Sequence, residues 1–515
     1  MIVRKLKIKN FRSIKDLDID LGRINALIGP NNAGKSNIMK ALDLIIGESF
    51  PTVRSFEDND FYKFDKSNQI LIEVYFDKSL NLNNNVYGFK LTFDGINVDY
   101  LAIDSEGNEV RYSNDRQMKV SKDMREEVAL MFLPLERLAT KQISPSQWTL
   151  YGKMLRKLND EIEEDKRKSF KELLEKGYSD NFYPALKNFE DILRRYISEQ
   201  TGFEFSLRLS ILDPLELTRN LRPYFREDDL EYDVENMGAG IQSALAIAIA
   251  RAYVDIIHKP LIIAIEEPEL YLHPHACRRL YRLLSELSNE SGFQILYTTH
   301  ETSFVDIAKF EQVNIVRKEG GQTRVYQGSK IDGTSLSDVS VASKFNSEIN
   351  EAFFAEHIIL VEGYSDKIAC RSALERLGLD LDDKNVSIID CGGVKEIPKL
   401  AKVFKAFKFK VYVLLDDDDD AKKRIETLKD IVGNDNVFIQ SPDLEGMLGR
   451  ERLKELIIQS ELSPKYDNSK RLKLNKEQAL EVLCKYFEEV PEFDLRKMPY
   501  FRLMDKIQIG TTGRN

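Results

Sequence analysis

Residues 24–46 read INALIGPNNAGKSNIMKALDLII, and this stretch decides the fold of the first half of the chain. An apolar run ends at Gly29, a loop bounded by glycines follows, and from Lys35 apolar residues recur at helical spacing. Gly29 and Gly34 let backbone N–H groups turn inward around phosphate oxygens, Lys35 can reach the β and γ phosphates, and the Ser36 hydroxyl can ligate Mg²⁺. The alternative is a chance glycine turn with a helix cap, but strand and helix stand on the correct sides of the loop. The stretch therefore predicts a nucleotide-binding loop.

Composition restricts the class of protein around this loop. The 515 residues are 42% hydrophobic and 31% charged, which is typical of a soluble globular protein of roughly two to four domains. No apolar run approaches the roughly 20 residues that span a bilayer, and MIVRKLKIKNF alternates like a strand, so we expect no membrane association and a cytoplasmic location. The four cysteines are scattered, which argues against a zinc site or a disulfide framework. The net charge of −10 argues weakly against a general nucleic-acid coat and leaves room for a local basic groove.

A second strand ending in acid lies far downstream, in KPLIIAIEEPELYLHP at residues 259–274. Its short continuous apolar run is typical of a strand buried on both faces of a parallel sheet. At its end, Glu266 is placed to hold the Mg²⁺ water shell and Glu267 to orient or deprotonate the attacking water. The alternative is an acidic helix start, since EEPE also suits a helix N-terminus.

Two further segments suit the same nucleotide site. In NMGAGIQSALAIAIARAY, residues 236–253, a glycine turn opens a helix whose N-terminus could hold an anion, with Ser243 as a donor. FQILYTTH is another buried strand, and it ends in His300, which could contact a γ-phosphate. A single histidine at a strand end is more often structural.

Together these segments resemble the ATPase heads of the ATP-binding-cassette superfamily, in the branch that contains RecF and the SMC proteins. GPNNAGKS resembles its Walker A motif, LIIAIEEPELYLHP its Walker B motif and TTH its H-loop, whereas NMGAGIQS matches the signature motif only loosely. The resemblance implies ATP as the ligand and a dimer in which the signature of one head closes on the nucleotide of the other. The residues implied to bind the nucleotide are Asn31, Asn32, Ala33, Gly34, Lys35, Ser36, Gly238, Gly240 and Ser243, with Ser36 and Glu266 on Mg²⁺ and Glu267 and His300 in catalysis.

More than two hundred residues separate the two nucleotide motifs, which predicts an insertion. Residues 151–200 are dense in charge, with Leu155, Leu158 and Ile162 on one helical stripe. A helical subdomain packed on its own head and a helical dimerisation element both fit, since one stripe does not say whose surface it covers. Beyond the head, VRKEGGQTRVYQ predicts a hairpin with Gly320 and Gly321 in the turn, followed by a linker from Lys330 to Ser347.

A new α/β domain follows the linker. EHIILVEGYSD, NVSIIDCGG and FKVYVLLDDDDD each read as a strand with a glycine or acidic end, so a parallel sheet would gather three loops at one edge. A run of aspartates is usually a solvated surface. On a strand of period two, however, Asp416 and Asp418 project to one side and Asp417 to the other, and two adjacent carboxylates favour a hard cation such as Mg²⁺ or Mn²⁺. Asp419 and Asp420 suit an ordinary helix entry.

This half resembles a Toprim domain, through VEGYSD and LLDDD. A RecF-like head followed by Toprim resembles the OLD (overcoming lysogenization defect) family of nucleases, which includes the nuclease subunit of the Gabija anti-phage system. The resemblance implies two-metal cleavage of DNA, with Mg²⁺, Mn²⁺ or Ca²⁺ in the Toprim site. The implied metal ligands are Glu362, Asp366, Asp416, Asp418, Asp443 and Glu445, and the implied basic residue facing the scissile phosphate is Lys497.

The predicted architecture is α/β: an ABC-type P-loop ATPase with an inserted helical dimerisation region, then a C-terminal Toprim domain. Its predicted segments are 1–145 (Walker A part), 146–225 (helical insertion), 226–345 (signature, Walker B and H-loop) and 346–515 (Toprim). The predicted function is an ATP-regulated, metal-dependent DNA endonuclease of phage defence or DNA processing, acting as a homodimer or larger homo-oligomer, with a helicase-like partner conceivable.

A RecF-like or SMC-like repair ATPase without nuclease activity is the main alternative, and the aspartate pair argues against it. A topoisomerase would need a recognisable nucleophilic tyrosine domain, and a primase the usual zinc-binding cysteines. A nucleotide-sensing scaffold would tolerate loss of Asp416.

Overall fold

The structure is a computed structural model that describes residues 1–134, 149–201, 206, 221, 224–227, 230–234, 237–270, 272–290, 292–305, 307–331, 347–467 and 472–512. These residues form two compact units that alternate along the sequence. The first unit comprises Met1–Leu6, Met39–Phe61 and Lys66–Leu296, and the second comprises Lys7–Ile38, Tyr62–Asp65 and Tyr297–Asn515. Most of the predicted linker lies outside the described residues.

The secondary structure changes character along the chain, from strands to helices and then to alternating strands and helices. In chain order the elements up to residue 201 are β1 (Val3–Phe11), β2 (Ile14–Asp20), β3 (Ile24–Ile28), α1 (Lys35–Ile46), β4 (Ile70–Phe76), β5 (Gly88–Phe93), β6 (Val98–Ile103), α2 (Lys122–Glu126), β7 (Ala129–Leu133), α3 (Leu150–Asp160), α4 (Glu164–Gly177) and α5 (Tyr183–Thr201). The next are β8 (Tyr224–Glu227), β9 (Leu230–Asp233), α6 (Ala239–Ile257), β10 (Leu261–Glu266), α7 (Pro274–Asn289), β11 (Phe293–Thr299), β12 (Val313–Glu319) and β13 (Gln322–Gln327).

The C-terminal part continues with α8 (Ser347–Glu351), β14 (His357–Val361), α9 (Tyr364–Arg376), β15 (Val386–Asp390), α10 (Ile397–Ala406), β16 (Lys410–Asp416), α11 (Asp419–Val432), β17 (Val437–Gln440), α12 (Leu444–Leu448), α13 (Arg450–Gln459), α14 (Lys476–Glu489), α15 (Glu492–Leu495) and α16 (Pro499–Thr512). The chain therefore alternates strand and helix from β14 to β17, as the sequence predicts.

In the first unit, β4, β5 and β6 form an antiparallel sheet in which Ile70 pairs with Phe93 and Gly88 with Ile103. Strand β10 pairs in parallel with β7, and all six of its residues are buried. The prediction of a strand buried on both faces is thus confirmed for the segment that carries Glu266.

The helical region contains α3, α4 and α5. A π-helical turn at Tyr178–Phe182 joins α4 to α5. The buried side of α3 is formed by Leu150 and Met154, whereas Leu158 and Ile162 of the predicted stripe are 44% and 38% exposed. Leu158 follows Met154 by about one helical turn, so the side of α3 that is buried at Leu150 and Met154 becomes exposed toward the C-terminal end of the helix. These two exposed apolar residues leave the dimerisation prediction open.

Among the described helices, one is long and apolar enough to span a membrane, within Gly240–Ile257 of α6. Ala246, Ile247 and Ala250 of this helix are buried in the protein. Core helices of soluble proteins pass the same length and composition test, so the helix is weak evidence for a membrane.

In the second unit, β3 pairs in parallel with β12, so that the strand leading into the P-loop (residues 29–36) lies beside the terminal hairpin. Strands β12 and β13 are antiparallel, with Gly320 and Gly321 at φ +56° and +78° in the turn. The antiparallel pairing of the two strands confirms the predicted hairpin. The φ angles in its turn are ones that glycine adopts without strain.

The C-terminal part of the second unit is built on a four-stranded sheet in the order β15-β14-β16-β17, and every neighbouring pair is parallel. Helices α9, α14 and α16 pack together, and α10 packs with α11 against β16. A buried apolar cluster that includes Ile359, Leu414, Leu483 and Leu503 joins the sheet to the C-terminal helices. All four strands end at one edge, which is where parallel sheets place their sites.

Candidate functional site

The P-loop holds the ammonium group of Lys35 at its mouth. Lys35 is 7% exposed, and its Nζ donates to the carbonyl oxygens of Gly29 (2.7 Å) and Pro30 (3.0 Å). His300 Nε2 lies 3.0 Å from the same Nζ. The structure therefore brings together Lys35 and His300, which the sequence places 265 residues apart.

The other predicted residues of this loop take up two kinds of position. Asn31, Asn32 and Ser36 are exposed, whereas Ala33 is buried. Gly34 has φ +109°, and a Cβ there would lie 2.1 Å from Thr323 Oγ1, so only glycine fits. The exposed side chains and backbone are free to meet a phosphate on the open side of the loop.

Two hydroxyl residues that sequence reasoning missed support the loop from behind. Thr323 Oγ1 donates to the Ala33 carbonyl oxygen (2.8 Å) and lies 2.7 Å from Ser13 Oγ. Asn37 Nδ2 donates to the same Ser13 oxygen. Ser13 and Thr323 belong to no phosphate-binding motif, and only the pairing of distant strands brings them here.

The predicted acidic strand end lies in the first unit. Glu266 ends β10 and is 8% exposed, and Glu267 follows with φ +42°, in the left-handed region that non-glycine residues rarely adopt. Such a conformation costs on the order of 1–3 kcal/mol and often marks a functional turn. The roles predicted for the two adjacent carboxylates stay predictions.

The predicted signature residues lie at the start of α6. Gly238 is exposed and directly precedes the helix, with nothing within 4 Å of a Cβ built on it. A Cβ on Gly240 would lie 2.9 Å from Leu272 Cδ2, so this glycine packs closely. Ser243 lies in the first turns of α6. The exposed Gly238 backbone is suited to contact with a second molecule.

The carboxylate cluster (Glu362, Asp366, Asp416, Asp418, Asp443 and Glu445) begins at the end of β14. Glu362 accepts a hydrogen bond from the Asp416 N–H (3.0 Å) at Oε1, and its carbonyl oxygen accepts from the Gly393 N–H (2.8 Å). Asp366, in the first turn of α9, accepts from the Gly363 N–H at 3.1 Å. The predicted glutamate loop, double-glycine loop and aspartate run therefore meet at one sheet edge.

The aspartates that follow β16 have separate environments. Asp416 Oδ1 accepts from the Leu444 N–H at 2.9 Å, while Asp417 accepts from Ser441 Oγ (2.8 Å) and pairs with Lys422. Asp418 caps α11 by accepting from the Ala421 N–H at 2.7 Å. Asp417, which follows the end of β16, thus has other partners than Asp416, and its bonds to Ser441 and Lys422 lower its pKa.

Asp443 and Glu445, which the sequence treats as one motif, are held differently. Asp443 caps α12 and forms an ion pair with Arg450. Glu445 is 2% exposed, and its Oε1 accepts from the Leu474 N–H at 3.0 Å. Glu445 therefore remains the more deeply buried charge of the two.

Burial raises the pKa values of three of these carboxyls to about 6 or 7. Burial, with the charges of Asp416 and Asp418, raises the pKa of Glu362 to about 7 against the opposing Asp416 N–H bond. Burial likewise raises the pKa of Asp416 to about 7 and that of Asp366 to about 6. Clustered carboxyls with raised pKa values are typical of metal or catalytic sites.

Sequence reasoning missed a lysine that faces this cluster. Lys473 Nζ lies 3.6 Å from Glu445 Oε2, and the charges of Glu445, Asp416, Asp443 and Asp366 raise its pKa although partial burial opposes the rise. The predicted Lys497 instead pairs with Asp494 at 2.9 Å and lies 3.8 Å from the centre of the Phe493 ring. Lys473 stands beside no recognisable motif, so no local signal distinguishes it from other lysines.

A buried glutamine joins two members of the cluster, and sequence reasoning also missed it. Gln440, which is fully buried at the end of β17, donates through Nε2 to Asp366 Oδ1 (2.8 Å) and Asp416 Oδ1 (3.2 Å). Its Oε1 accepts from the Tyr500 hydroxyl at 2.6 Å. The two carboxylates thereby take the donor end of the amide, and Tyr500 of α16 binds its acceptor end.

The donor set fits a hard divalent cation, because every donor of the cluster is a carboxylate oxygen. Glu445 Oε2 is buried and accepts no hydrogen bond, although Lys473 Nζ lies 3.6 Å from it, so this oxygen already faces one cation. In the described part of the chain, no three acidic, histidine or cysteine side chains converge closely enough to coordinate an ion as they stand.

These features define a P-loop ATPase joined to a Toprim domain, and the comparisons agree. Residues 24–306 match the family described as "AAA domain, putative AbiEii toxin, Type IV TA system", and residues 353–418 match "Overcoming lysogenization defect protein-like, TOPRIM domain".

Three curated relatives extend over most of the chain. It is 30% identical to the OLD nuclease of Thermus scotoductus, over 87% of this chain and 92% of the relative. It is 24% identical to the endonuclease GajA of Bacillus cereus (95% and 86% covered) and 23% identical to the Old nuclease of Escherichia phage P2 (80% and 76% covered). The chain belongs to the OLD nuclease family, which confirms the predicted family and the predicted α/β fold of an ATPase head followed by a Toprim domain. The segment bounds and the dimerisation role of the helical insertion stay predictions.

Proposed function

We propose that this chain is an ATP-binding, metal-dependent DNA endonuclease that cuts phosphodiester bonds at the carboxylate cluster under the control of its ATPase. The observation that carries this proposal is the meeting of acidic residues from β14, β16 and the segment after β17 at one edge of the Toprim sheet. The nuclease names of three relatives that extend over most of the chain support it.

At the nuclease site, the six carboxylates of the cluster would hold Mg²⁺ or Mn²⁺, with Ca²⁺ as a further candidate. Two such ions, when bound, lower the pKa of an attacking water and stabilise the leaving oxygen of an in-line displacement. Of these ligands, Asp366 and Glu445 are buried, so they would shield the ions from bulk water on that side. A cation facing the scissile phosphate would offset its charge, and Lys497 and Lys473 are the two candidates.

At the nucleotide site, the P-loop backbone and Lys35 would hold the ATP phosphates, while Ser36 and Glu266 would hold Mg²⁺. Glu267 would take the proton of the attacking water, and His300, beside Lys35, would contact the γ-phosphate. Gly238, Gly240 and Ser243 of a second copy would close on this nucleotide, which makes the active form a homodimer or larger homo-oligomer.

The proposed setting is the cytoplasm, with DNA as the substrate and phage defence or DNA processing as the role. A helicase-like partner protein is a further proposed component. Co-purification of the tagged chain from its own cells, with and without infecting phage, tests for that partner.

The decisive experiment is plasmid nicking by the purified protein with Mg²⁺ or Mn²⁺, with and without ATP. Asp416→Asn should abolish nicking, and Asp420→Asn, a matched aspartate at the exposed entry of α11, should leave it intact. Lys35→Ala should remove the response to ATP and show whether ATP activates or inhibits cleavage. Failure of the wild type to nick DNA with any divalent metal would sink the nuclease proposal and leave an ATPase without nuclease activity.

A further inference from the structure

Helix α10 of the Toprim domain has one apolar side and one side of lysines. Its inward residues are fully or almost fully buried, among them Ile397, Leu400 and Phe404. Within the helix, Lys399, Lys402 and Lys405 recur every three residues, which places them on one outward side, and Lys395 and Lys408 flank its two ends. This lysine face consists of Lys395, Lys399, Lys402, Lys405 and Lys408, all of them exposed or half-exposed.

The lysine face is a local exception to an acidic protein. Between residues 395 and 410 there are six lysines and one acidic residue, Glu396, in a chain of net charge −10. Lys399 pairs with Glu396 at 3.2 Å, whereas Lys395, Lys402, Lys405 and Lys408 form no ion pair with any residue that the structure describes. Like charges three and four residues apart destabilise a helix slightly, and a polyanion along this side would relieve that repulsion.

The neighbouring helix shows that this arrangement is not general to the domain. On α11, Lys423 pairs with Asp420 and Lys429 with Glu426, at 3.2 and 2.8 Å. Those two lysines of α11 have ion-pair partners on their own helix. Lys402 and Lys405 of α10 form no ion pair with the residues that the structure describes.

The lysine face starts at the catalytic edge of the sheet. Helix α10 follows β15 through the double-glycine loop, in which the Gly393 N–H donates to the Glu362 carbonyl oxygen. Ten helical residues extend about 15 Å, which matches about four phosphates of one DNA strand at a rise of about 3.4 Å.

We propose that the lysine face binds the phosphate backbone of the DNA substrate beside the scissile bond, independently of base sequence. This assignment rests on the proposed nuclease function. It explains how a DNA strand could approach six carboxylates, because the adjacent cations offset their repulsion of phosphate.

The test replaces Lys395, Lys402 and Lys405 together by glutamine in the full-length protein. Binding to a short DNA duplex is measured between about 0.05 and 0.2 M salt. Loss of three phosphate contacts should make the negative slope of log affinity against log salt less steep by about 2.7. This rise in salt should therefore weaken DNA binding by the wild type about 40-fold more than DNA binding by the variant. The matched control, Lys423, Arg424 and Lys429 replaced by glutamine, removes the same charge from α11.

A small phosphodiester, bis(4-nitrophenyl) phosphate, separates this inference from the proposed function. If both hold, the triple variant hydrolyses the small ester with Mn²⁺ like the wild type and loses only DNA binding and cleavage. Wild-type DNA affinity and salt slope in the triple variant, or an equal loss in the α11 control, would overturn the assignment to α10. Failure of the wild type itself to hydrolyse DNA and the small ester would overturn the nuclease function instead.

Discussion

Replacing Gln440 by methionine should raise the metal concentration that the nuclease site needs, and this effect should be larger than the loss of folding stability. Methionine keeps the length of the side chain but removes the Nε2 donor that serves Asp366 and Asp416. A hydrogen bond to a charged group contributes about 1.5–3 kcal/mol, and loss of one such bond corresponds to about 10- to 150-fold in affinity. Losses of about 10- to 100-fold are usual when residues supporting metal ligands are changed.

The assay is plasmid nicking across a titration of Mg²⁺ and Mn²⁺, with the half-saturating metal concentration as the readout. The matched control is Gln478→Met, because Gln478 is also buried and donates through Nε2 to the Ser463 carbonyl oxygen, within the same unit. Both variants should unfold at lower denaturant, and only Gln440→Met should need about 10- to 100-fold more metal. A half-saturating concentration that stays at the wild-type value in Gln440→Met would refute the positioning role.

Three further outcomes are expected. Lys473→Gln should reduce kcat for DNA cleavage, because Lys473 faces the carboxylate cluster. Comparison with Lys497→Gln decides which lysine serves the scissile phosphate. If both variants cleave DNA at the wild-type rate, neither lysine has this role. Thr323→Val removes one hydroxyl support of the P-loop and should weaken ATP binding about 2- to 12-fold by calorimetry, and unchanged affinity would show that the loop holds its shape without it. Without metal, the free energy of unfolding should fall as pH rises from about 4 to about 7, because burial raises the pKa values of three cluster carboxyls in the folded state and charging them there costs energy that the unfolded chain avoids. Denaturant unfolding in EDTA at several pH values checks this. Asp416→Asn should make the dependence of this free energy on pH less steep.

Local patterns were enough to predict the elements that carry the motifs. The P-loop strand and helix, the buried strand before Glu266 and the hairpin turn at Gly320 each depend on periodicity or on glycine chemistry within about 20 residues. The alternating strands of the C-terminal half also predicted that the loops after β14, β15 and β16 would meet.

Contacts between distant segments could not be predicted in this way. Gln440, Tyr500 and Lys473 reach the carboxylate cluster only through the packing of C-terminal helices on the sheet, and no motif surrounds them. The stripe through Leu158 lies on a helix as predicted, but its spacing does not say which surface the stripe covers, so the choice between a packed subdomain and a dimerisation element stays open. The pair of acids after β17 divides into a capped, ion-paired Asp443 and a buried Glu445, although the short sequence SPDLEGML treats them alike.

The hydrogen bond from Tyr500 to Gln440 also has a consequence for biosynthesis. Tyr500 is made 84 residues after Asp416, which takes about 4–17 s at about 5–20 residues per second. During that interval a nascent chain carries the carboxylates of β14 and β16 without the helix that orients their glutamine. If the carboxylate cluster is the nuclease site, its late completion would leave the growing chain little ability to cut nucleic acid until most of the protein has been made.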